Sequence, residues 1–303
     1  MRVLVSGSSG LIGSTLVVAL AGEGHEVIRL ARDGTPGAEA GSGRVPWDPR
    51  AGVLDLRAVA GIDAIINLSG AGIGDHRWTE SYRRNVLESR LGATRLLARA
   101  AAALEPRPQA FLSASAIGYY GDRGDETLTE ESPGGGGFLA GLCRQWEEAT
   151  AEAEEAGVRT AHLRSGIVLA GNGGALGKQL PLFRFGVGGR LGSGRQWVSW
   201  ISLRDEVGAI GHVLAGAVAG PVNLTAPAPV TNADFTRALA AALHRPAVAT
   251  VPRFALRLAL GGQMADEMIL ASQRVLPTRL EESGYRFTDP ELAPALTRLL
   301  QRS

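Results

Sequence analysis

The sequence predicts an α/β fold, a doubly wound parallel sheet followed by a smaller, mostly helical C-terminal substrate domain, and three observations predict it. A short apolar run, Arg2-Val3-Leu4-Val5-Ser6, opens into Gly7-Ser8-Ser9-Gly10-Leu11-Ile12-Gly13, after which Leu11, Ile12, Leu16, Val17 and Leu20 recur at helical spacing. Further strand-length runs, His25 to Ala31, Asp63 to Gly70, Gln109 to Ala114 and Val158 to Leu163, alternate with helical patterns, as parallel strands joined by crossover helices do. From Gly166 the pattern changes to glycine loops with aromatic residues between them, then to helices punctuated by Pro227, Pro229, Pro246 and Pro252. The expected division is 1–168 for the sheet domain, with 203–225 returning to it, and 169–303 for substrate-side loops and the helical domain.

The first strand, turn and helix carry the strongest functional signal. Three glycines in a chain with 41 of them mean little alone. Placed between a strand and a helix they form a dinucleotide cradle, which is the Rossmann arrangement. Gly7 permits the tight turn, Gly10 lets backbone approach a pyrophosphate, Gly13 lets helix pack on strand, and the amides of Ser9, Leu11 and Ile12 face the phosphates at the helix's positive end. The end of the second strand selects the dinucleotide. An acid there suits the ribose hydroxyls of NAD and an arginine the 2'-phosphate of NADP. This chain has Ala31 at that position and Arg32 after it, which favours NADP (NADPH). A solvated arginine and an inward-turned Asp33 are the alternatives.

The remaining elements follow in order. A glycine-, alanine- and proline-rich loop, Gly34 to Gly43, precedes a short strand at Arg44 to Trp47 and a short amphipathic helix at Leu54 to Ala60. The strand from Asp63 ends in Leu68-Ser69-Gly70, which in a doubly wound sheet lies beside the glycine turn and lines a ribose of the cofactor. Tyr82, Val86, Leu87, Leu91, Leu96 and Leu97 predict a long helix from Glu80 to Leu104. The strand from Gln109 leads into Ser115-Ala116-Ile117-Gly118-Tyr119-Tyr120-Gly121 and an acidic, then glycine-rich loop to Gly137. A helix over Phe138 to Ala156 follows. Loops at Gly171 to Gly174 and Gly186 to Gly194 flank a short helix near Lys178 to Phe185. A helix from Leu203 to Ala219 and a strand at Val222 to Leu224 come next, and Thr231 caps a helix with Asp234 at its third position. The tail to Ser303 reads as helical.

Composition excludes several classes. With 31 basic and 30 acidic residues, scattered rather than clustered, the chain has no footprint for nucleic acid or an anionic membrane. Cys143 is the one cysteine, so no internal disulfide forms. Met1 leads straight into a strand, and no apolar run reaches the roughly 18 residues of a membrane span, so the expectation is a cytoplasmic protein. The five histidines show no metal-ligand spacing with one another or with Cys143, and no metal is expected.

Taken together, these stretches resemble the extended short-chain dehydrogenases and sugar-nucleotide epimerases. The nearest likeness is their atypical, epimerase-family branch (cell-division-inhibitor-like), whose members end in a small helical domain of unknown function. The matching residues are the Gly7–Gly13 turn, Asp63-Ala64-Ile65-Ile66-Asn67-Leu68-Ser69-Gly70, Ser89-Arg90, Ser113 through Gly121, Trp146-Glu147, Leu163-Arg164-Ser165-Gly166, Trp200-Ile201 with Asp205, and Thr231 through Phe235. In catalytic relatives a tyrosine moves a proton, a lysine four residues on lowers its pKa, a serine orients the substrate and an asparagine holds a water. By the resemblance, the tyrosine position falls near Leu139, the lysine position is Cys143 and the asparagine position is Arg90. Ser115, with Ser113 beside it, keeps the serine, while Ser202 stands where relatives often carry histidine.

The resemblance thus implies an intact cofactor half and an altered proton-transfer half. Arg90, with Asn85 five residues before it on the same helix, and Arg164 are candidate cofactor or anionic-substrate contacts, or else structural charges. Val168 lies where relatives bring backbone toward the nicotinamide. Tyr119 and Tyr120 are candidate proton donors, with packing as the alternative. Cys143 is either a reactive thiolate or a buried, inert thiol. Two functions remain open at this point: an NADP-dependent oxidoreductase or epimerase-like enzyme acting on a small polar substrate, as a monomer or homodimer, and a non-catalytic NADP(H) sensor that reports to a protein partner.

Overall fold

The computed structural model describes residues 1–32, 43–171 and 173–301. The expected Gly34–Gly43 loop, apart from Gly43, and the readings on Asp33, Asn172 and Ser303 lie outside them. Contacts divide the chain into two compact units: Met1–Ser115 with Leu142–Leu163 and Ile210–Val222, and Ala116–Gly141 with Arg164–Ala209 and Asn223–Ser303.

The first unit is organised on an eight-stranded sheet. Its strands are β1 (Arg2–Ser6), β2 (Glu26–Arg32), β3 (Arg44–Asp48), β4 (Val53–Leu54), β5 (Ala64–Asn67), β6 (Ala110–Ala116), β7 (Arg159–Ser165) and β8 (Gly220–Leu224). They lie in the order β8-β7-β6-β5-β1-β2-β3-β4. The pairs of β1 with β2 and β5, of β2 with β3 and of β5 with β6 are parallel, and only the β3–β4 hairpin is shown antiparallel. Successive strands run outward in opposite directions from β1 and β5, so the chain reverses its winding there, and such a switch point opens a crevice beyond the strand ends.

Helix α2 (Glu80–Ala103) packs the central strands through Ala93, Leu96, Leu97, Ala98 and Ala101 against Leu4, Ile65 and Phe111. Its start is fixed by Thr79, whose hydroxyl accepts the Tyr82 amide. Two expected helices differ. Residues 54–60 form a strand end and consecutive turns, closed by Ala58 to Asp55, Val59 to Leu56 and Ala60 to Arg57. Only Val59 of 55–60 is buried, so no apolar stripe offsets the cost of helix nucleation. The helix expected from Phe138 to Ala156 breaks into α3 (Phe138–Glu148) and a short turn of helix at Ala151–Glu155. There the Thr150 hydroxyl donates to the Glu147 carbonyl at 2.6 Å and interrupts the ladder.

A buried polar knot holds the strand ends together. Asn67, fully buried, accepts the Ser6 hydroxyl at 2.7 Å and the Ser69 amide at 3.2 Å, and donates to the Thr94 hydroxyl at 2.8 Å. Thr94 also accepts the Trp146 indole at 3.0 Å. Replacing Asn67→Leu strands these groups in the core at about 1–3 kcal/mol apiece. The expected result is a loss of about 3 kcal/mol in denaturant unfolding, and a change below about 1 kcal/mol would show that the knot is not an anchor.

The second unit combines helices with pairs of short strands, Gly189–Leu191 with Ala249–Val251, Trp197–Val198 with Val230–Thr231, Ile167–Ala170 with Trp200–Ser202 and Thr127–Leu128 with Arg274–Val275. Its core joins Leu176, Leu180, Phe183, Trp200, Phe235, Leu239 and Leu296. The helix Asn232–Ala242 begins as expected, with the Thr231 hydroxyl accepting the Asp234 amide.

Glu206 is buried in this unit. Its Oε1 accepts the Ser165 hydroxyl at 2.6 Å, while Oε2 has no partner. Burial pushes its carboxyl from 4.5 up to about 8, against the opposing effect of the Ser165 bond. The folded state therefore keeps a proton that the unfolded chain has released, so stability falls as pH rises from about 4.5 to about 8 and levels off above. Glu206→Gln should flatten that slope, which reaches up to about 1.4 kcal/mol per pH unit. Urea unfolding at stepped pH reads it, and parallel slopes in the two proteins would remove Glu206 as the cause.

Candidate functional site

At the end of β1, Gly7 adopts φ +70, and the Gly10 amide returns to its carbonyl at 3.0 Å to close the turn. Helix α1 (Leu11–Gly22) starts immediately after. Its N-cap, Gly10, contributes no side chain, and no other side chain caps it, so the first-turn amides are left for a ligand. Space at two of the turn's glycines admits no side chain. A Cβ on Gly7 would lie 2.6 Å from the Leu68 carbonyl carbon, and one on Gly13 would lie 2.2 Å from the Gly7 oxygen. These observations fit a diphosphate: bare amides, a helix dipole, backbone close-packed behind them, and exposed Ser9 and Gly10 in front.

Around the turn stand the other residues of this half. Ala31 is buried and Arg32 exposed at the end of β2, and Arg32 registers with Trp47 of β3. Leu68 and Ser69 are half-buried and Gly70 is exposed. Arg90 braces this segment from α2. It donates to the carbonyls of Ala71 at 2.9 Å and Val86 at 3.1 Å, lies 4.9 Å from the Trp146 ring centre, and keeps a buried Nε without a partner. Burial lowers its pKa, opposed first by the nearby Cys143 thiol. Asn85 does not join it; its side-chain carbonyl accepts from Arg50 at 2.9 Å. Ser113 sits in the buried knot at 3.5 Å from the Asn67 amide.

Ser115 donates to Glu147 at 2.6 Å. Leu139, Cys143 and Glu147 are four residues apart on α3, so they follow one another along one face. Glu147 was not singled out in the sequence as a site residue. The available signal was its place one turn beyond the position of the missing lysine.

In the second unit Tyr120 is fully buried. Its hydroxyl donates to Asn223 at 2.7 Å and accepts from Arg164 at 3.0 Å, and burial raises its pKa. The expectation that Tyr120 moves a proton for a substrate gives way to a packing role, because both ends of its hydroxyl are occupied. Arg164 itself is buried, with its guanidinium 3.5 Å from the centre of the half-buried Tyr119 ring. Val168 registers with Ile201 in the short strand pair. A cavity of about 330 Å³ also lies within this unit, lined by Gly118, Leu139, Gln196, Asp266 and Glu267 among others. Among the described residues no cluster of His, Cys, Asp or Glu is arranged to hold a metal ion, and no helix is long and apolar enough to cross a membrane.

Residues 3–138 match the family described as the NAD dependent epimerase/dehydratase family, and residues 251–299 match a domain of unknown function, DUF1731. An epimerase family protein of Mycobacterium leprae is 43% identical over 97% of this chain and 94% of its own length. The human epimerase family protein SDR39U1 is 38% identical over 99% of this chain and 100% of its own. A crystal structure of the human protein (isoform 2) with NADPH superposes with a TM-score of 0.91 at 36% identity, covering 100% of both chains. MoeE5 in complex with UDP-glucuronic acid and NAD shares the fold, with a TM-score of 0.78 at 19% identity over 99% of this chain and 98% of that one.

Proposed function

Since the chain belongs to the epimerase family, the atypical extended short-chain dehydrogenases that end in DUF1731, we propose that it binds NADPH in the Gly7–Gly13 cradle and acts as an oxidoreductase or epimerase-like enzyme on a small polar substrate. The observation that carries this reading is the uncapped start of α1 behind a turn too tight for side chains at Gly7 and Gly13, with a guanidinium exposed at the end of β2. NADPH in the related human crystal structure supports it.

Each residue then has a task. The amides of Leu11 and Ile12 hold the diphosphate, Arg32 pairs with the 2'-phosphate, and Leu68, Ser69 and Gly70 line a ribose, held in place by Asn67 and Arg90. When bound, NADPH supplies hydride chemistry. Proton transfer falls to Ser115 and Glu147. The Ser115 hydroxyl donates to the carboxylate at 2.6 Å. In the oxidation direction, with NADP⁺ bound, its oxygen would accept a substrate hydroxyl and the proton would pass through it to Glu147, and in the reduction of a carbonyl with NADPH the proton would travel the same path in reverse. Arg90 restores, from a different helix, the positive charge that the family's lysine position lacks in Cys143. Tyr119 is the second candidate proton donor.

One observation favours a second reading, an NADP(H) sensor without turnover: Cys143, which by the resemblance stands at the lysine position with the tyrosine position near Leu139, is 1% exposed. Single-turnover mixing of the NADPH-loaded protein with a panel of carbonyl compounds separates the two. Loss of the near-ultraviolet absorbance of the reduced nicotinamide with any compound supports the enzyme, and retention across the panel with tight NADPH binding favours the sensor.

A further inference from the structure

The cavity of the second unit has a one-sided chemistry. Three carboxylates line it, Asp122, Asp266 and Glu267, against one guanidinium, Arg253. That guanidinium is paired within the lining, since its Nε and Nη2 both donate to Asp266, at 3.2 and 2.9 Å. Asp266 is shared further with Arg257, which holds its carboxyl below the usual range, so it remains charged. Gln273 commits its amide nitrogen to the carbonyls of Ile117 and Gly121, which leaves its carbonyl oxygen as what it can offer a ligand. The lining is therefore rich in acceptors, and its one cation is itself paired with Asp266.

Glu267 holds the decisive position. Its Oε2 accepts the Leu139 amide at 2.9 Å and its Oε1 accepts from Gln263 at 2.8 Å. It thus caps the first turn of α3 at the residue standing near the family's tyrosine position. A carboxylate oxygen has more than one lone pair, so both oxygens retain capacity for a ligand's N–H or O–H.

We propose that this cavity takes a small molecule rich in hydrogen-bond donors, a hydroxylated compound and preferably one bearing an ammonium group, and that it rejects phosphorylated ligands such as nucleotide sugars. At about 330 Å³ it lies at the low end of the roughly 300–1,000 Å³ of small-molecule sites. A diphosphate placed there would meet three carboxylates and would have to compete with Asp266 for the one guanidinium of the lining. This substrate class rests on the reading that the chain acts on a small polar substrate, although the binding itself is measured without turnover.

Calorimetry with the full chain, both alone and loaded with NADPH, tests it with three probes: D-glucose, D-glucosamine and UDP-glucose. The expected result is glucosamine binding about tenfold or more tighter than glucose, with no heat from UDP-glucose. Glu267→Gln keeps an oxygen to cap Leu139 while removing the charge, and should bring the ratio of the two sugars near one. Asp122→Asn, on a different segment, should lower the ratio as well. UDP-glucose binding as tightly as glucosamine, heat from neither sugar, or an unchanged ratio in both folded variants would overturn the proposal. Missing NADPH heat counts against the cofactor assignment alone, because the sugars are also titrated into the cofactor-free chain.

Discussion

Gly13→Val should abolish NADPH binding, with affinity falling by about 100-fold or more. A Cβ at this position would sit 2.2 Å from the Gly7 carbonyl oxygen and 2.9 Å from the Ser8 Cα. Both are backbone atoms of the turn, so the clash cannot be relieved by a side chain swinging aside. Relief requires α1 to move off the turn, which withdraws the first-turn amides from the diphosphate. Each charge-assisted bond so lost is worth about 1.5–3 kcal/mol, and two of them correspond to roughly two to four decades in the dissociation constant. Calorimetric titration measures the loss, and circular dichroism confirms that the variant folds. A folded variant that binds NADPH within a few-fold of the parent would show that the diphosphate is held elsewhere.

Arg32→Asp should invert cofactor preference rather than abolish binding. Arg32 is exposed at the end of β2, so the substitution disturbs no core. It removes a partner able to hold the 2'-phosphate with two parallel bonds and puts a like charge beside it. NADPH affinity is expected to drop about 100-fold, while NADH binding stays level or improves as the new carboxylate reaches the ribose hydroxyls. Titration with both dinucleotides decides it. An equal loss for the two would mean that Arg32 contributes only general charge and does not read the extra phosphate.

How much of this was legible in the sequence depended on how local each signal was. The glycine turn, the Thr231 cap and the strands of the first unit were readable because their causes lie within a few residues: φ preference, a hydroxyl three residues before an amide, and runs of buried apolar residues. The break in the helix after Glu148 was local too, but Thr150 also fits a helix interior, and its hydroxyl bonds to Glu147 and Glu154 became visible only with the backbone placed. The short strands of the second unit, two to four residues each, are too brief for alternation to register. Ser115 was readable from its motif, but its partner Glu147 lies 32 residues on, and Glu267 lies 128 residues beyond the amide it caps. Sequence separations of that size carry no pattern.

The capping of α3 by Glu267 has a bearing on how this protein can change over time. The stretch matched to DUF1731 looks like a module appended after a cofactor-binding fold. Yet it also supplies the strand Arg274–Val275 that pairs with Thr127–Leu128, and Ser272, just before that strand, donates its hydroxyl to the Gly124 carbonyl. Removing the tail would therefore leave residues 117–139 without these hydrogen-bond partners and their pairing edge. The two stretches pack as one part, so an insertion in either would have to be met by a change in the other.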